Sequence, residues 1–453
     1  MQQQQRQSAG VTGAFIIVTC LFFAWGFITA LNDPLVAAVK GIFTLSRFEA
    51  QFIAFAFFVA YGLISFPAAA LLSRTRAMPS IVMALVTMIV GCALILLAAN
   101  LAVFPLVLVG LFVLASGITI LQVAANPLVA ALGSPDYSHF RLTFSQTFNS
   151  LGTFIAPILG AHLFLKGVEV KEGTVITPEV RAHALAGIDM AYFWLCGLIA
   201  LLTIFMFLSR RTVTAALPQE PRSTAQQSIG SLISDAVSSR WALFGGLAIF
   251  LYVGAEVSIG TQMTAFLNDN AIWGLSDAPF RVPLLGATMG SDGVHGVSVE
   301  EAGKAVAFYW GGAMVGRAIG SALLARVNAP VLLATFTAIA CAMCVYVASV
   351  GGVTAGFVAL CIGLFNSIMF PVIFTITLER SSASSEATSG LLCTAIVGGA
   401  LVPLLVGKFS ELTSYHAALF IPAVCYAVLC LFAISSRRAQ AHLRDEPAVA
   451  TIH

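Results

Sequence analysis

Apolar residues run in long unbroken blocks along this chain, and polar residues gather between them. Twelve blocks can be drawn, at residues 12–36, 49–72, 80–99, 103–132, 141–165, 189–209, 241–266, 302–325, 330–349, 354–378, 386–408 and 414–436. A helix needs about 20 apolar residues to cross roughly 30 Å of hydrocarbon, and the blocks have that length. A transmembrane β-barrel would show short segments alternating with period two instead. The pattern predicts an all-α polytopic membrane protein with twelve transmembrane helices. One polar stretch divides the blocks six and six. It opens on Arg210-Arg211, carries Pro218-Gln219-Glu220-Pro221, and reads as a linker with a short helix over Ile229 to Val237. The predicted organisation is an N-terminal six-helix half (1–209), a cytoplasmic linker (210–240), a C-terminal six-helix half (241–436) and a cytoplasmic tail (437–453).

Composition agrees. Of 453 residues, 59% are hydrophobic and 9% charged, whereas about a quarter of a soluble chain is charged. A net charge of +2 offers no basic surface for nucleic acid. The nine cysteines are scattered, and Cys341 and Cys344 share an apolar block without His or acidic neighbours, so all read as small packing residues. The first block is too long for a signal peptide and lacks a small-residue cleavage site, so it reads as a retained helix. Basic residues set the orientation. With both termini inside, thirteen of the 22 Lys and Arg lie on the cytoplasmic side and eight outside; only Arg317 lies well within a block. The outer loops 166–188 and 267–301 carry mixed charge and read as solvated caps.

An internal repeat is visible. Ala69-Ala70-Leu71-Leu72-Ser73-Arg74 matches Ser321-Ala322-Leu323-Leu324-Ala325-Arg326. Asn149 to Gly152, with Ala156-Pro157, matches Ala395 to Gly398, with Val402-Pro403. Six helices per half give both halves the same orientation. A parallel repeat of this kind is the major facilitator arrangement, with substrate bound near midplane between the halves.

Three charges stand apart: Asp33, Glu256 and Arg317. A carboxylate near the bilayer centre costs about 2.5–3.5 kcal/mol on insertion scales, which makes it a functional-site hypothesis. Asp33 closes the stretch Trp25 to Asp33 and precedes Pro34. The proline removes a helix bond and disfavours helical geometry at Asp33, so a broken helix is expected there. The alternative is that Asp33 sits at the outer end of the helix and meets headgroup water. Glu256 either couples a cation or makes a structural ion pair with Arg317 or Lys304.

Uncharged polar residues complete the candidate set. Gln122 and Asn126 are four apart in block four, and Gln146 and Asn149 three apart in block five, so each pair shares a helix face. An amide both donates and accepts, as sugar hydroxyls require. The same amides also serve to glue helices together at about 0.6 kcal/mol per bond, and both roles stay open for all four. In the C-terminal half the matching material is Tyr252 to Val257, Phe308-Tyr309-Trp310 with Arg317, and Asn366. Aromatic faces suit a sugar ring; the alternative is a belt of lipid-facing side chains. There is no GxxxxGK[ST] phosphate loop and no HExxH, and no nucleophile–base pair stands out, so the chain reads as no enzyme.

At these residues the chain resembles the fucose–proton symporter family of the major facilitator superfamily. The matching stretches are Phe27 to Asp33 ending in Leu-Asn-Asp, Gln122 to Pro127, Arg141 to Gly152, Tyr252 to Gly260 and Gly316-Arg317. The resemblance covers nearly the whole chain. It implies a proton-coupling carboxylate at Asp33, with Glu256 as a second coupling candidate. It implies sugar contacts at Asn32, Gln122, Gln146 and Asn149, to which the reading above adds Asn126, Tyr309, Arg317 and Asn366. Fucose carriers hold a second carboxylate in block four, where this chain has Gln122; that departure, with the carboxylate of Tyr252 to Glu256, is more similar to the glucose/galactose branch. The expectation is a monomeric, multi-pass carrier of a bacterial inner membrane, with both termini cytoplasmic. It would import glucose or galactose by alternating access, driven by a proton and using no cofactor. L-fucose or N-acetylglucosamine, sodium coupling and uncoupled uniport are the alternatives.

Overall fold

Hydrocarbon supplies no hydrogen-bond partner, so an apolar block closes its backbone bonds within itself and becomes helical. The computed structural model describes residues 2–43, 47–101, 103–163, 178–217, 227–274, 280–281, 288–289 and 296–439. Among them, the first six blocks form α1 (Gln2–Phe43), α2 (Arg47–Thr75), α3 (Ala77–Leu101), α4 (Phe104–Ala131), α5 (Ser138–Leu163) and α6 (Pro178–Ala215). The linker carries α7 (Ile229–Ser238), within a residue of the expected helix. The next three blocks form α8 (Arg240–Asn268), α9 (Val299–Leu324) and α10 (Ala329–Ser349). Block ten is split into α11 (Val353–Asn366) and α12 (Met369–Arg380), and block eleven into α13 (Ser385–Thr394) and α14 (Gly398–Leu412); block twelve is α15 (Phe420–Arg438). Ten spans are long and apolar enough to cross a membrane by length and composition among the described residues. The two blocks outside that group are α5, diluted by Arg141, Gln146 and Asn149, and α9, diluted by Glu300, Glu301, Lys304 and Arg317.

Two expectations are corrected. Helix α1 does not break at Pro34 but continues to Phe43; a proline is tolerated in a membrane helix when local adjustment satisfies the freed backbone groups. The region 267–301 is more than a solvated cap. It holds a π-helical turn, Asn270–Gly274, in which Trp273 is fully buried and its Nε1 donates to the Val353 carbonyl at 3.0 Å. A two-residue antiparallel ladder follows, β1 (Phe280–Arg281) with β2 (Thr288–Met289), in the register Phe280 opposite Met289. Of the loop 166–188, residues from Pro178 onward belong to α6.

The described chain divides into two compact units. The first runs to Leu243 and also includes Thr377–Ala395; the second holds Phe244–Ile376 and the described residues from Ile396 onward. In the first unit α3 packs on α4 and α6, α1 packs on α5 and α6, and α2 packs on α4 and α13. The C-terminal end of α4 would leave carbonyls without partners. Arg141 fills that need: its Nε donates to Val129 O at 3.2 Å, Nη1 to Ser134 O at 2.7 Å, and Nη2 to Ala130 O. In the second unit α10 packs on α15 and α11, and α9 packs on α11.

The repeat read from the sequence recurs as the same close approach inside each unit. Gly152 of α5 lies against the Phe23 carbonyl of α1, and a Cβ at Gly152 would meet that oxygen and, at 2.8 Å, the Phe27 nitrogen. Gly398, its counterpart, lies against the Phe250 carbonyl of α8. Backbone cannot retreat as a flexible side chain can. Gly152→Ala is therefore expected to destabilise the protein by about 1–3 kcal/mol, the usual cost of overpacking. Gly197→Ala, where the added methyl meets nothing within 4 Å, should leave it unchanged. Thermal unfolding of the two purified variants beside wild type checks this.

Candidate functional site

In the first unit, α4 and α5 bring amides together at a depth where few polar groups belong. Gln122 is buried and its Nε2 donates to the Tyr61 hydroxyl of α2 at 2.6 Å. Gln146, also buried, points its Nε2 at Asn126 Oδ1, at 3.4 Å. Asn126 is fully buried, and its Nδ2 has no hydrogen-bond partner. The hydroxyls of Thr29 and Thr143 are likewise buried without a partner. A buried polar group left unpaired costs about 1–3 kcal/mol, so each calls for a reason.

Asn149 is placed differently from Gln146, although the two share a helix face. Its Nδ2 donates to the Phe22 carbonyl at 3.0 Å, and Gly26 backs onto the Asn149 carbonyl. That is the helix-bridging geometry. The backbone of α1 passes through Asn32 and Asp33, but the side chains of both lie outside the described residues.

The second unit holds the other cluster. Glu256 Oε1 lies 3.7 Å from Arg317 Nη2, with both side chains mostly buried. Arg317 Nε donates to the Ser367 carbonyl at 2.9 Å. The sequence explains that bond. Ser367 lies at the break between α11 and α12, and Pro371, four residues on, has no N–H with which to close the turn onto its carbonyl. Arg317 occupies the acceptor that the proline leaves open.

Around the pair, Tyr309 is fully buried and its hydroxyl donates to the Glu256 backbone carbonyl at 3.1 Å. Asn366 Nδ2 donates to the Tyr309 hydroxyl at 2.7 Å and reaches the Tyr426 hydroxyl at 3.5 Å. Asn366 Oδ1 is buried without a hydrogen bond among the described residues, and the buried Tyr252 hydroxyl lies beside the Glu256 carboxylate. Trp310, next to Tyr309 in sequence, is 45% exposed, with its ring against Gly260 of α8. Glu256, Tyr309, Arg317 and Asn366 are thus brought together in the second unit, and Gln122, Asn126 and Gln146 lie together in the first.

Sequence reasoning passed over Tyr61, Tyr426 and the Ser367 carbonyl, and quoted Tyr252 without a role. A tyrosine within an apolar block carries one signal: a buried hydroxyl usually needs a partner. No cluster of three or more His, Cys, Asp or Glu suited to a metal occurs among the described residues.

Apolar helices that bury amides and an ion pair instead of presenting them to solvent define a multi-pass membrane carrier. The chain belongs to the Major Facilitator Superfamily, whose model matches residues 14–392. It is 38% identical over 421 residues to a glucose/galactose transporter of Brucella abortus biovar 1 (strain 9-941), covering 93% of each chain. It is 31% identical over 437 residues to the L-fucose-proton symporter of Escherichia coli (strain K12), covering 94% of each. Among solved structures, FucP, a Major Facilitator Superfamily transporter in the outward conformation, matches with a TM-score of 0.82 at 27% identity, over 94% of this chain and 99% of that one. The twelve helical blocks and their parallel repeat are those of this fold.

The ion pair yields a direct test. Arg317→Met leaves Glu256 without its cation and Ser367 with an open carbonyl. Breaking a buried pair from one side costs about 3–5 kcal/mol, and the residual exposure of both groups places this one at or below the lower end. Adding Glu256→Gln to Arg317→Met should recover part of the loss. A double-mutant cycle on thermal unfolding in detergent reads the coupling, expected at about 0.5–3 kcal/mol; strict additivity would exclude an energetic pair.

Proposed function

We propose that this chain imports a monosaccharide, glucose or galactose, together with a proton across a bacterial inner membrane. The observation that carries the reading is the amide cluster of the first unit. Gln122 and Gln146 offer groups that both donate and accept, and Asn126 adds a buried donor that no described residue satisfies. Sugar hydroxyls, which both donate and accept, match such a set. The relative named as a glucose/galactose transporter, at 38% identity, supports the choice of sugar. The relative named as an L-fucose-proton symporter supports the proton as driving ion. L-fucose is the second reading. Gln122, in the position where fucose carriers hold a carboxylate, favours glucose or galactose.

Asp33 carries the coupling in this reading. Its ionised form near the bilayer centre costs about 2.5–3.5 kcal/mol, so protonation removes the charge that opposes the loaded carrier's change of face. A proton moving down 100 mV supplies about 2.3 kcal/mol, enough for roughly fiftyfold accumulation before any pH gradient is added. Glu256, engaged with Arg317, serves as the second carboxylate. Asn32, Gln122, Asn126 and Gln146 hold the sugar, and Asn149 orients α5 on α1 for them. Tyr309, Arg317 and Asn366 contribute from the second unit. The protein works as a monomer with both termini cytoplasmic, as no enzyme, and with no cofactor beyond the transported cation.

Labelled glucose, galactose and fucose uptake into proteoliposomes, under an imposed pH or sodium gradient, tests the reading. Proton-driven accumulation of glucose or galactose is expected. Asp33→Asn should abolish accumulation and retain exchange of sugar across the membrane. Gln122→Ala should weaken apparent affinity about tenfold, the equivalent of roughly 1.4 kcal/mol for a lost hydrogen bond to ligand. Accumulation driven only by sodium would replace the cation. Equilibration without accumulation under either gradient would make the protein a uniporter.

A further inference from the structure

The linker helix α7 carries more apolar surface than the protein covers. Leu232 and Ala236 are fully buried, and the helix packs on α2 and α13. Ile229, Ile233 and Val237 stay 43%, 41% and 52% exposed. A single exposed apolar residue is ordinary. These recur at every fourth position and so form one stripe along the helix. At about 100° per residue, the stripe centres about 100° round the axis from Leu232. Ser231, Ser234 and Ser238, all exposed, gather on the other flank, about 230° round in the same sense. The protein thus covers one edge of an apolar arc, leaves the rest bare, and has serines on the far side.

The contacts of α7 fix its depth. Ser239 alone separates it from α8, and the apolar run Arg240–Asn268 is long enough to cross a membrane. Ser239 Oγ accepts from the Ser382 nitrogen at 3.2 Å and lies 3.1 Å from Ser381 Oγ. Ser381 follows directly on the run Val353–Arg380. Asp235 Oδ2 accepts from the backbone nitrogen and the hydroxyl of Ser384, at 2.9 and 2.7 Å, and Ser384 caps the run Ser385–Leu412. Membrane runs therefore begin or end against the C-terminal half of α7 and its cap. Such ends mark the plane where hydrocarbon gives way to headgroups, so a helix bonded to them lies at the membrane surface.

We infer that α7 is an interfacial helix: Ile229, Ile233 and Val237 seat in the boundary between acyl chains and headgroups, and the serine flank faces water. An amphipathic helix at this depth lies in the membrane plane with its apolar face sunk about 5–10 Å. Lipid is the occupant that the surroundings favour. The stripe is continuous in sequence with α8, where Leu243, one turn past the cap, is 42% exposed. A stripe on a helix about 15 Å long is also far smaller than the roughly 800 Å² that a stable protein partner covers. The polar flank says what kind of lipid contact this is. Interfacial helices commonly use Lys and Arg to meet anionic headgroups. Helix α7 has neither, and its carboxylate, Asp235, is bonded to Ser384. The contact is therefore with acyl chain and does not require an anionic lipid. It does not depend on which sugar or cation is carried.

Photocrosslinking in the full-length protein tests this. p-Benzoylphenylalanine replaces Ile233 in one variant and Ser234 in another. Each is reconstituted in phosphatidylcholine vesicles with and without phosphatidylglycerol, and intact mass with peptide mapping reads what is captured. Position 233 should yield about fivefold more lipid adduct than position 234, in both kinds of vesicle. The same replacement at Ile229 and Ser231 repeats the comparison near the start of the helix, should either of the first variants fail to fold. Equal lipid capture on the two flanks overturns the inference. So does a product of twice the chain mass, or a crosslink to another stretch of the chain in place of lipid, since either identifies a different cover for the stripe. Lipid adduct that forms only with phosphatidylglycerol also overturns it, because the contact would then rest on headgroup charge.

Discussion

A carbonyl freed inside a membrane helix must find a donor, and most of what is distinctive here follows from that demand. Pro371 cannot close its turn onto Ser367, and Arg317 donates there instead. A guanidinium at that depth then needs a counter-charge, which Glu256 supplies from α8 at 3.7 Å. The carboxylate's own helix is tied in turn by Tyr309, and Tyr309 by Asn366, the residue that ends α11. One missing N–H thus accounts for the position of an ion pair, a tyrosine and an amide. The break between α11 and α12 is held from outside by α9, not left open.

The first unit solves its polar problems without a described ion pair at midplane. There the close approach of α5 to α1, allowed by Gly152, sets Asn149 against the Phe22 carbonyl. The same approach brings Gln146 to Asn126. Packing by small residues and bonding by amides are usually described as one device for joining membrane helices. In this unit they divide the work. The glycine and Asn149 join the helices, which leaves Gln122, Asn126 and Gln146 only partly satisfied and hence able to serve a ligand.

Blocks of apolar residues sized to the bilayer were legible because length and composition are enough to define a spanning helix. All twelve are helical, and the linker helix falls within a residue of its reading. The splits in blocks ten and eleven were not legible. Proline alone does not decide a break: Pro34, Pro67 and Pro127 sit within continuous helices, whereas the carbonyl at the break ahead of Pro371 is bonded by Arg317, fifty residues away. Tyr309 and Trp310 show a second limit. Adjacent positions differ by about 100° around a helix, so one is buried and the other exposed. Composition gave no way to say which. The candidate site was half legible: the amides and the Glu256–Arg317 alternative could be named, but their tyrosine partners come from other helices.

His139 shows why some chemistry escapes any local reading. Near a helix end, beside no motif, it carries no signal of its own, and Glu379 looks like one more terminal carboxylate. Their meeting across 240 residues depends on Thr377–Ala395 lying in the first unit. The surroundings give the pair its meaning. Ser138 already binds the carboxylate, and the imidazole meets the same oxygen at 3.2 Å. The polar groups buried within the two units can set what is carried, whereas this contact touches neither cluster.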